Sequence, residues 1–141
     1  MIVREAESTQ DFDMVRRLRH EVFVVEQNVP PEEEWDGTDA GARHLLASVD
    51  GVPMATLRWR IIGDTAKIER VCVAKDYRGG GHGAALMRAV LDLIQHEGRA
   101  KRVKLGAQVS ALKFYERLGF RIVGAVYLDA GIDHRDMVRD L

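Results

Sequence analysis

The stretch that decides the fold is Val71-Cys72-Val73-Ala74-Lys75-Asp76-Tyr77-Arg78-Gly79-Gly80-Gly81-His82-Gly83-Ala84-Ala85. It joins a β-branched strand to a long apolar-periodic helix through a basic turn with four glycines in five positions. Glycine lets the main chain approach another molecule closely, and the free N–H groups of a helix's first turn attract anions. The stretch therefore predicts a phosphate or pyrophosphate site between a strand and a helix.

Length and composition limit the class of protein. The 141 residues suit a single domain, 1–141, and the net charge of −1 gives no electrostatic signature of nucleic-acid binding. The lone Cys72 excludes an internal disulfide framework and favours a reducing cytoplasm. Residues 1–20 carry charges throughout, so we expect no signal peptide, and no apolar run is long enough to predict a membrane span.

The order of elements around the turn predicts an α/β fold with a mixed central sheet of about seven strands. Periodicity and turn signals give the order β-α-β-β-β-α-β-α-β-β, with helices on both faces. The predicted strands are 2–6, 44–49, 52–62, 65–73, 102–107, 120–128 and 133–141, and the predicted helices are 8–26, 81–97 and 110–118. The strand after the crossover helix is expected to run parallel to the strand before it. An acidic loop, Glu32–Asp39, separates the first helix from the meander.

Two common phosphate-binding classes fit the turn poorly. A Walker loop needs Lys-Ser or Lys-Thr after its last glycine, whereas Gly83 is followed by alanines. The spacing Gly79-x-Gly81-x-x-Ala84 does satisfy a dinucleotide-binding fingerprint, but three antiparallel strands precede it. The next strand also ends without the acidic residue that would bind a ribose. An NAD(P)-type site is therefore a minor alternative.

Two motifs together give a third interpretation. Arg78–Gly83 resembles the R/Q-x-x-G-x-G/A motif of the GNAT N-acetyltransferase superfamily. About 30 residues further on, Ala111–Phe120 closely resembles that family's A-x-x-F-Y-E-K-L-G-F motif. The strand and helix order also matches, so the resemblance extends over nearly the whole chain. The segments Arg19–Pro30 and Ala130–His134 are similar to a small bacterial branch of the family.

The resemblance implies acetyl transfer from acetyl-CoA to a primary amine, by direct attack of the amine on the thioester. Tyr115 matches the family's general acid, which protonates the departing thiolate. The main-chain N–H of Val73 is expected to donate to the thioester carbonyl. Ser110 stands close to where many relatives carry an asparagine, and it departs from that residue type. The implied acetyl-CoA contacts are Val71, Cys72, Val73, Arg78, Gly79, Gly80, Gly81, His82, Gly83, Ala84, Ser110 and Tyr115.

The general base is left open among several residues. Glu69 lies near the expected thioester position, and an ion pair with Arg58, Arg60 or Arg70 is an equally good explanation for it. His134 is a second candidate base, a water chain to Glu26 is conceivable, and His44 is the other histidine worth testing. We expect the acidic loop to be solvated, or else to fold over the acceptor site and favour cationic amines.

Some alternatives remain at this stage. A GNAT-fold module that binds acyl-CoA and catalyses little is the main competing function. Histidines and carboxylates show no metal-ligand spacing, so no metal is expected. Cys72 on a β-branched strand is expected to be a small core residue rather than a nucleophile. GNAT relatives often pair through sheet edges, so a homodimer is an open expectation.

Overall fold

Eight strands form one mixed sheet in a computed structural model that describes residues 1–141. The strands are β1 (Ile2–Glu5), β2 (Arg43–Val49), β3 (Val52–Ile62), β4 (Thr65–Val73), β5 (Arg102–Gln108), β6 (Arg121–Ile122), β7 (Tyr127–Asp129) and β8 (Ile132–Asp140). Their order is β1-β2-β3-β4-β5-β8-β6, and β7 pairs with β8. The β4–β5 pair is parallel and every other pair is antiparallel. The predicted mixed α/β fold is confirmed.

Four α-helices accompany the sheet: α1 (Thr9–Arg19), α2 (Pro31–Glu34), α3 (His82–Glu97) and α4 (Leu112–Glu116). Ser8 caps α1 through its hydroxyl, and Asp11 returns the bond in a capping box. The chain does not leave the helix at Arg19 but continues as a π-helix over His20–Glu26. The predicted end near Glu26 is therefore right, but the last part is wound differently. None of the helices combines the length and apolar composition needed to cross a bilayer.

The core has two parts, one on each face of the sheet. The larger cluster of 20 buried residues includes Met87, Val90 and Ile94 of α3, which pack on the central strands. The smaller cluster of 8 buried residues includes Val15 and Leu18 of α1. Because helices cover the central strands on both sides, both faces of these strands carry buried residues. The prediction of helices on both faces is confirmed.

The C-terminal hairpin differs from its prediction. The single strand expected over 120–128 is two short strands, β6 and β7, which pair with opposite ends of β8. Gly124, with φ of 126°, lies in the segment between them, where the chain leaves the sheet. This break raises the strand number from seven to eight and places β7 beside the cleft described below.

Candidate active site

A cleft opens where the two parallel strands of the sheet separate. β4 and β5 pair only from Thr65↔Arg102 to Ile68↔Leu105, and beyond that point no pairing joins them. The resulting cavity has a volume of about 240 Å³. Ile68 and Val71 of β4, Leu105 of β5 and Tyr115 of α4 are among its lining residues. The gap exposes the edge of each strand to whatever enters it.

The main chain at the end of β4 has groups free for a ligand. The Ala74 N–H donates to the Met54 carbonyl of β3 at 2.7 Å. Because antiparallel residues alternate between the two neighbours, the Val73 N–H points away from β3 and into the gap. By the same alternation the main chain of Cys72 faces β3. Of the three β4 residues expected to contact acetyl-CoA, Val71 and Val73 therefore remain, and Cys72 does not. Val71 also lines the cleft.

The glycine-rich turn connects this edge to α3. Gly79 and Gly81 have φ of 84° and 81°, a left-handed conformation that residues with a Cβ rarely adopt. No side chain caps the N-terminus of α3, whose first residues are His82, Gly83 and Ala84. Their N–H groups have no partner within the helix and carry the positive end of its dipole. The geometry suits an anion at this end of the cleft.

Arg78 is held by neighbours of its own. Its two terminal nitrogens donate to the two carboxylate oxygens of Glu26 at 2.8 Å each, and its Nε donates to the Val73 carbonyl at 2.9 Å. The hydrogen bonds from Arg78 lower the pKa of Glu26. Glu26 is thus an ion-pair partner and poorly suited to accept a proton. A phosphate contact by Arg78 would need this pair to open or to share the guanidinium.

Tyr115 lies deep in the cleft and is 8% exposed. Its ring packs edge-on against Phe114 and Phe120, with centroid distances of 4.9 and 6.0 Å. Burial raises the pKa of its hydroxyl, and the neighbouring Cys72 adds to this. The hydroxyl therefore keeps its proton near neutral pH and can donate it.

Cys72 is buried beside it, and burial raises the pKa of its thiol to about 12. A thiol with such a pKa holds almost no thiolate at neutral pH. This agrees with the interpretation of Cys72 as a small core residue.

His134 lines the same cleft from β8. Its Nδ1 lies 2.7 Å from the carbonyl oxygen of Ile132, which accepts a hydrogen bond and thereby fixes the proton on Nδ1. The other ring nitrogen, Nε2, then carries a lone pair and has no hydrogen-bond partner in the protein. This tautomer can accept a proton from a molecule in the cleft.

Glu69 also lines the cleft, but both of its oxygens are engaged. Arg58 donates to one at 3.0 Å and Arg60 to the other at 2.7 Å. Burial acts to raise the pKa of Glu69, but these hydrogen bonds outweigh burial and lower the pKa. The ion pair considered from the sequence is present, and it makes Glu69 a weaker base than a free carboxylate.

His44 and Ser110, which the sequence proposed as site residues, lie outside the cleft. His44 is buried, its Nε2 is 3.1 Å from the Asp39 carbonyl, and burial lowers the pKa of its imidazole. Ser110 is exposed in a 3₁₀ turn over Val109–Ala111, and its neighbour Ala111 reaches the cleft instead. Neither side chain is placed to contact a molecule between β4 and β5.

The acidic loop is fastened to the sheet by arginines. Four arginines and four carboxylates alternate in one network, which contains Arg19, Arg58, Arg60, Arg70, Glu34, Asp36, Asp39 and Glu69. Their formal charges cancel. The expectation of a solvated loop is therefore wrong for Glu34, which is buried, whereas Asp36 and Asp39 are ion-paired but keep about a third of their side-chain surface exposed. Glu33 and Glu34 do line the cleft, but the charge of Glu34 is balanced by Arg19 and Arg70.

Sequence reasoning missed several residues of the cleft wall. Phe23 and Gln27 come from the π-helix and its end, and Gln27 accepts a 2.8 Å hydrogen bond from Gln108 of β5. Tyr127 of β7 and Asp136 of β8 also line the cleft. Phe23 and Gln27 lie in the segment Arg19–Pro30 that resembles the family's bacterial branch, but that resemblance gave them no role in the site. Only strand register and the π-helix bring these four residues together. Within residues 1–141 no cluster of three or more His, Cys, Asp or Glu side chains is arranged to hold a metal.

Comparisons with known proteins agree with this geometry. The family model described as an acetyltransferase (GNAT) domain matches residues 5–141. The uncharacterized N-acetyltransferase YjcF of Bacillus subtilis is 40% identical over 124 residues, which are 87% of this chain and 88% of that protein. The crystal structure of Escherichia coli ElaA superimposes with a TM-score of 0.90 at 32% identity, covering 99% of this chain and 100% of ElaA. An acyl-CoA N-acyltransferase from Pseudomonas aeruginosa gives 0.89 at 32% identity, covering 99% of each chain.

Proposed function

Because the chain belongs to the GNAT acetyltransferase family, we propose that it transfers the acetyl group of acetyl-CoA to a primary amine. The observation that carries this proposal is the separation of β4 and β5, with an anion-binding turn at its end and Tyr115 in its depth. A cytoplasmic site of action remains a prediction that rests on the free Cys72. Dimer formation also remains a prediction.

The chain's own groups fit acetyl-CoA along this cleft. The exposed edge of β4 at Val71 and Val73 suits an extended amide-containing arm, which would add to the sheet as a further strand. The N–H groups of His82, Gly83 and Ala84 suit a pyrophosphate, because they are free and lie at a helix N-terminus. The Val73 N–H is placed to donate to a carbonyl oxygen in the gap and to stabilise negative charge that develops there.

Two side chains supply the proton transfers. An alkylamine with a pKa near 10.4 is mostly protonated at neutral pH and must lose a proton before it attacks. In the proposed reaction the Nε2 of His134 accepts this proton from the ammonium group, and the free amine then attacks the thioester carbonyl carbon to form the N–C bond. As the C–S bond breaks, the nitrogen of the new amide releases its second proton, which replaces the proton that Tyr115 gives up. The Tyr115 hydroxyl donates its proton to the departing sulfur. His134 is preferred to Glu69 as base because its lone pair is free, whereas Arg58 and Arg60 occupy the Glu69 carboxylate.

Thermal melts followed by thiol release test the proposed function. Ligand at about a hundred times its Kd stabilises the folded state by about 2.7 kcal/mol, which should raise the Tm by roughly 5–10 °C. We expect this increase with acetyl-CoA and with desulfo-CoA, and not with NADPH or ATP. Thiol release from acetyl-CoA should then appear with at least one member of a panel of primary amines.

The other outcomes discriminate between functions. Stabilisation by acetyl-CoA without thiol release on any amine would favour an acyl-CoA-binding module. A melt raised by NADPH alone would overturn the acetyltransferase proposal in favour of a dinucleotide site.

The assignment of the base predicts a ranking of two variants. His134→Gln should lower kcat on the order of 10²-fold, because glutamine cannot accept the proton. Glu69→Gln should lower kcat less, since the wild-type carboxylate is already occupied by two guanidinium groups. The measurement is steady-state thiol release, with His96→Gln on the exposed face of α3 as the matched control. The reverse ranking would assign the base to Glu69.

A further inference from the structure

Tyr127 lies over Gly106 of β5, in a position that only glycine at residue 106 permits. Its hydroxyl donates a 2.7 Å hydrogen bond to Oδ1 of Asp136, which is the register partner of Gly106. A methyl group at Gly106 would overlap the Tyr127 hydroxyl. The φ of Gly106 is not positive, so the backbone itself does not require glycine there. Glycine is required at residue 106 because a side chain there would overlap Tyr127, and not because the backbone adopts a left-handed conformation.

The same tyrosine ring stacks on His134. The two ring centroids are 5.9 Å apart and the planes differ by 25°. Tyr127 and His134 are register partners in the β7–β8 pair, so the stack continues the sheet pairing through side chains. One face of the imidazole therefore rests on Tyr127, while its Nδ1 is fixed by the Ile132 carbonyl.

The hydrogen bond to Asp136 is important because little else holds the tyrosine ring. β7 has three residues, all exposed, and it pairs only with β8. Burial and the neighbouring Asp136 raise the pKa of the Tyr127 hydroxyl, so it remains a donor to that carboxylate near neutral pH. The carboxylate is also held from its other oxygen, since Lys104 lies 3.6 Å from Oδ2.

We propose that Tyr127 is a positioning residue for His134: anchored by Asp136 over the space left by Gly106, it holds the imidazole with Nε2 turned toward the cleft. This inference rests on the proposed role of His134 and extends it to a group that does not touch the reacting atoms. The stack restricts rotation of the imidazole, and a proton acceptor misplaced by about 1 Å can lose up to about 100-fold in rate.

The test is a cycle of Gly106→Ala, Tyr127→Phe and the double variant in the full chain. Gly106→Ala should displace the Tyr127 ring and lower kcat about tenfold. Tyr127→Phe keeps the ring but loses its anchor, and should lower kcat about threefold. In the double variant the overlap is relieved, because the nearest ring carbon would lie 3.7 Å from the new methyl. The double variant should therefore match Tyr127→Phe rather than show the product of the two losses.

Two readouts separate positioning from general damage to the fold. The KM for acetyl-CoA should stay within about twofold in all three variants, because the changed groups contact β7 and β8 rather than β4 or the glycine-rich turn. Nitrogen-15 NMR of the His134 ring, recorded where the imidazole is neutral, should show one Nδ1-protonated form in the wild type. Gly106→Ala should give a mixed or altered ring signature. Gly41→Ala is the matched control, since a methyl there meets no atom within 4 Å.

The NMR measurement needs no substrate, so the positioning role of Tyr127 and the proposed acetyl transfer can be tested independently of each other. An unchanged His134 signature in Gly106→Ala would overturn the positioning role, whatever the activity. A double variant as impaired as Gly106→Ala would also overturn it, because relief of the overlap would then have restored nothing. If the wild type acetylates no amine while the ring signature changes as expected, the positioning holds and the proposed function fails.

Discussion

Replacement of Tyr115 by phenylalanine should abolish most turnover without weakening the protein. The variant removes the only proposed proton donor to the departing sulfur, and loss of a general acid typically costs 10²–10⁴-fold. We therefore expect kcat to fall on the order of 10²-fold or more. The KM for acetyl-CoA should change little, because the proposed contacts with the arm and pyrophosphate are main-chain groups of β4 and α3.

The thermal stability of Tyr115→Phe should equal that of the wild type or slightly exceed it. No protein group hydrogen-bonds the Tyr115 hydroxyl, and Tyr115 lines the cleft, so the phenylalanine loses no hydrogen bond within the protein. The edge-on packing with Phe114 and Phe120 is retained. A Tm equal to or slightly above the wild-type value, together with a large loss of kcat, is the signature of a group kept for chemistry.

The matched control is Tyr77→Phe, which removes a hydroxyl outside the cleft and should leave thiol release unchanged. Wild-type turnover in Tyr115→Phe would remove Tyr115 from the acid role. A fall in Tm of several degrees would instead show that the hydroxyl has a structural partner.

The parts of the site predicted from sequence are those with short-range signals. The glycine-rich turn, the helix that follows it and the Phe114-Tyr115 motif each lie within one continuous stretch, so spacing and residue type identify them. The crossover from β4 to β5 follows from a chirality rule and needs no distant contact. These elements fix where the cleft opens and which tyrosine lies in it.

The parts that were missed depend on distant residues. Arg78 has a basic side chain beside a phosphate-type turn, and its ion-pair partner Glu26 is 52 residues earlier. The contact of Tyr127 with Asp136 depends on where the chain breaks between β6 and β7, and no periodicity encodes that break. The π-helix that carries Phe23 into the cleft departs from the 3.6-residue period used to predict helices.

Buried charges were the other source of error. A pattern analysis assigns arginines and carboxylates to solvent, yet the side chains of Arg19 and Glu34 are each 2% exposed. Such burial is tolerated only when partners arrive from several elements at once. The partners of Arg19 lie in α2 and the loop after it, 15 and 20 residues further along the chain. A sequence pattern does not show such distant pairs, and the acidic loop was therefore expected to be solvated.

Replacement of Arg19 by methionine should strongly destabilise the fold. Arg19 donates to Glu34 at 2.5 Å from Nε and to Asp39 at 2.6 Å from Nη1, and it stacks on Trp35 at 4.8 Å. Methionine keeps the helix propensity and much of the volume but leaves three cations against four carboxylates. Removing one partner of a buried ion pair leaves an uncompensated charge, which costs about 3 kcal/mol of unfolding free energy.

The matched control lies one turn earlier on the same helix. Arg16 pairs with Asp13 at 2.6 Å, but both side chains are more than half exposed. Arg16→Met should therefore cost less than about 1 kcal/mol, as exposed pairs usually do. Urea unfolding of both variants measures the difference, and an equal loss in the two would show that the buried network contributes no more than a surface pair.

The pH dependence of the unfolding free energy tests whether the unpaired charge of Glu34 causes the loss of stability in Arg19→Met. Burial already raises the pKa of Glu34, and loss of Arg19 removes an interaction that lowers it. The folded Arg19→Met protein should then bind a proton at Glu34 more readily than the unfolded chain does. Stability relative to wild type must consequently improve as the pH falls from about 7 to 5, since the folded state takes up the extra proton.

Glu34→Gln in the Arg19→Met background should recover part of the loss at pH 7 and remove this pH dependence. A loss that is independent of pH and unaffected by Glu34→Gln would mean that Arg19 stabilises the fold through packing on Trp35 rather than through charge.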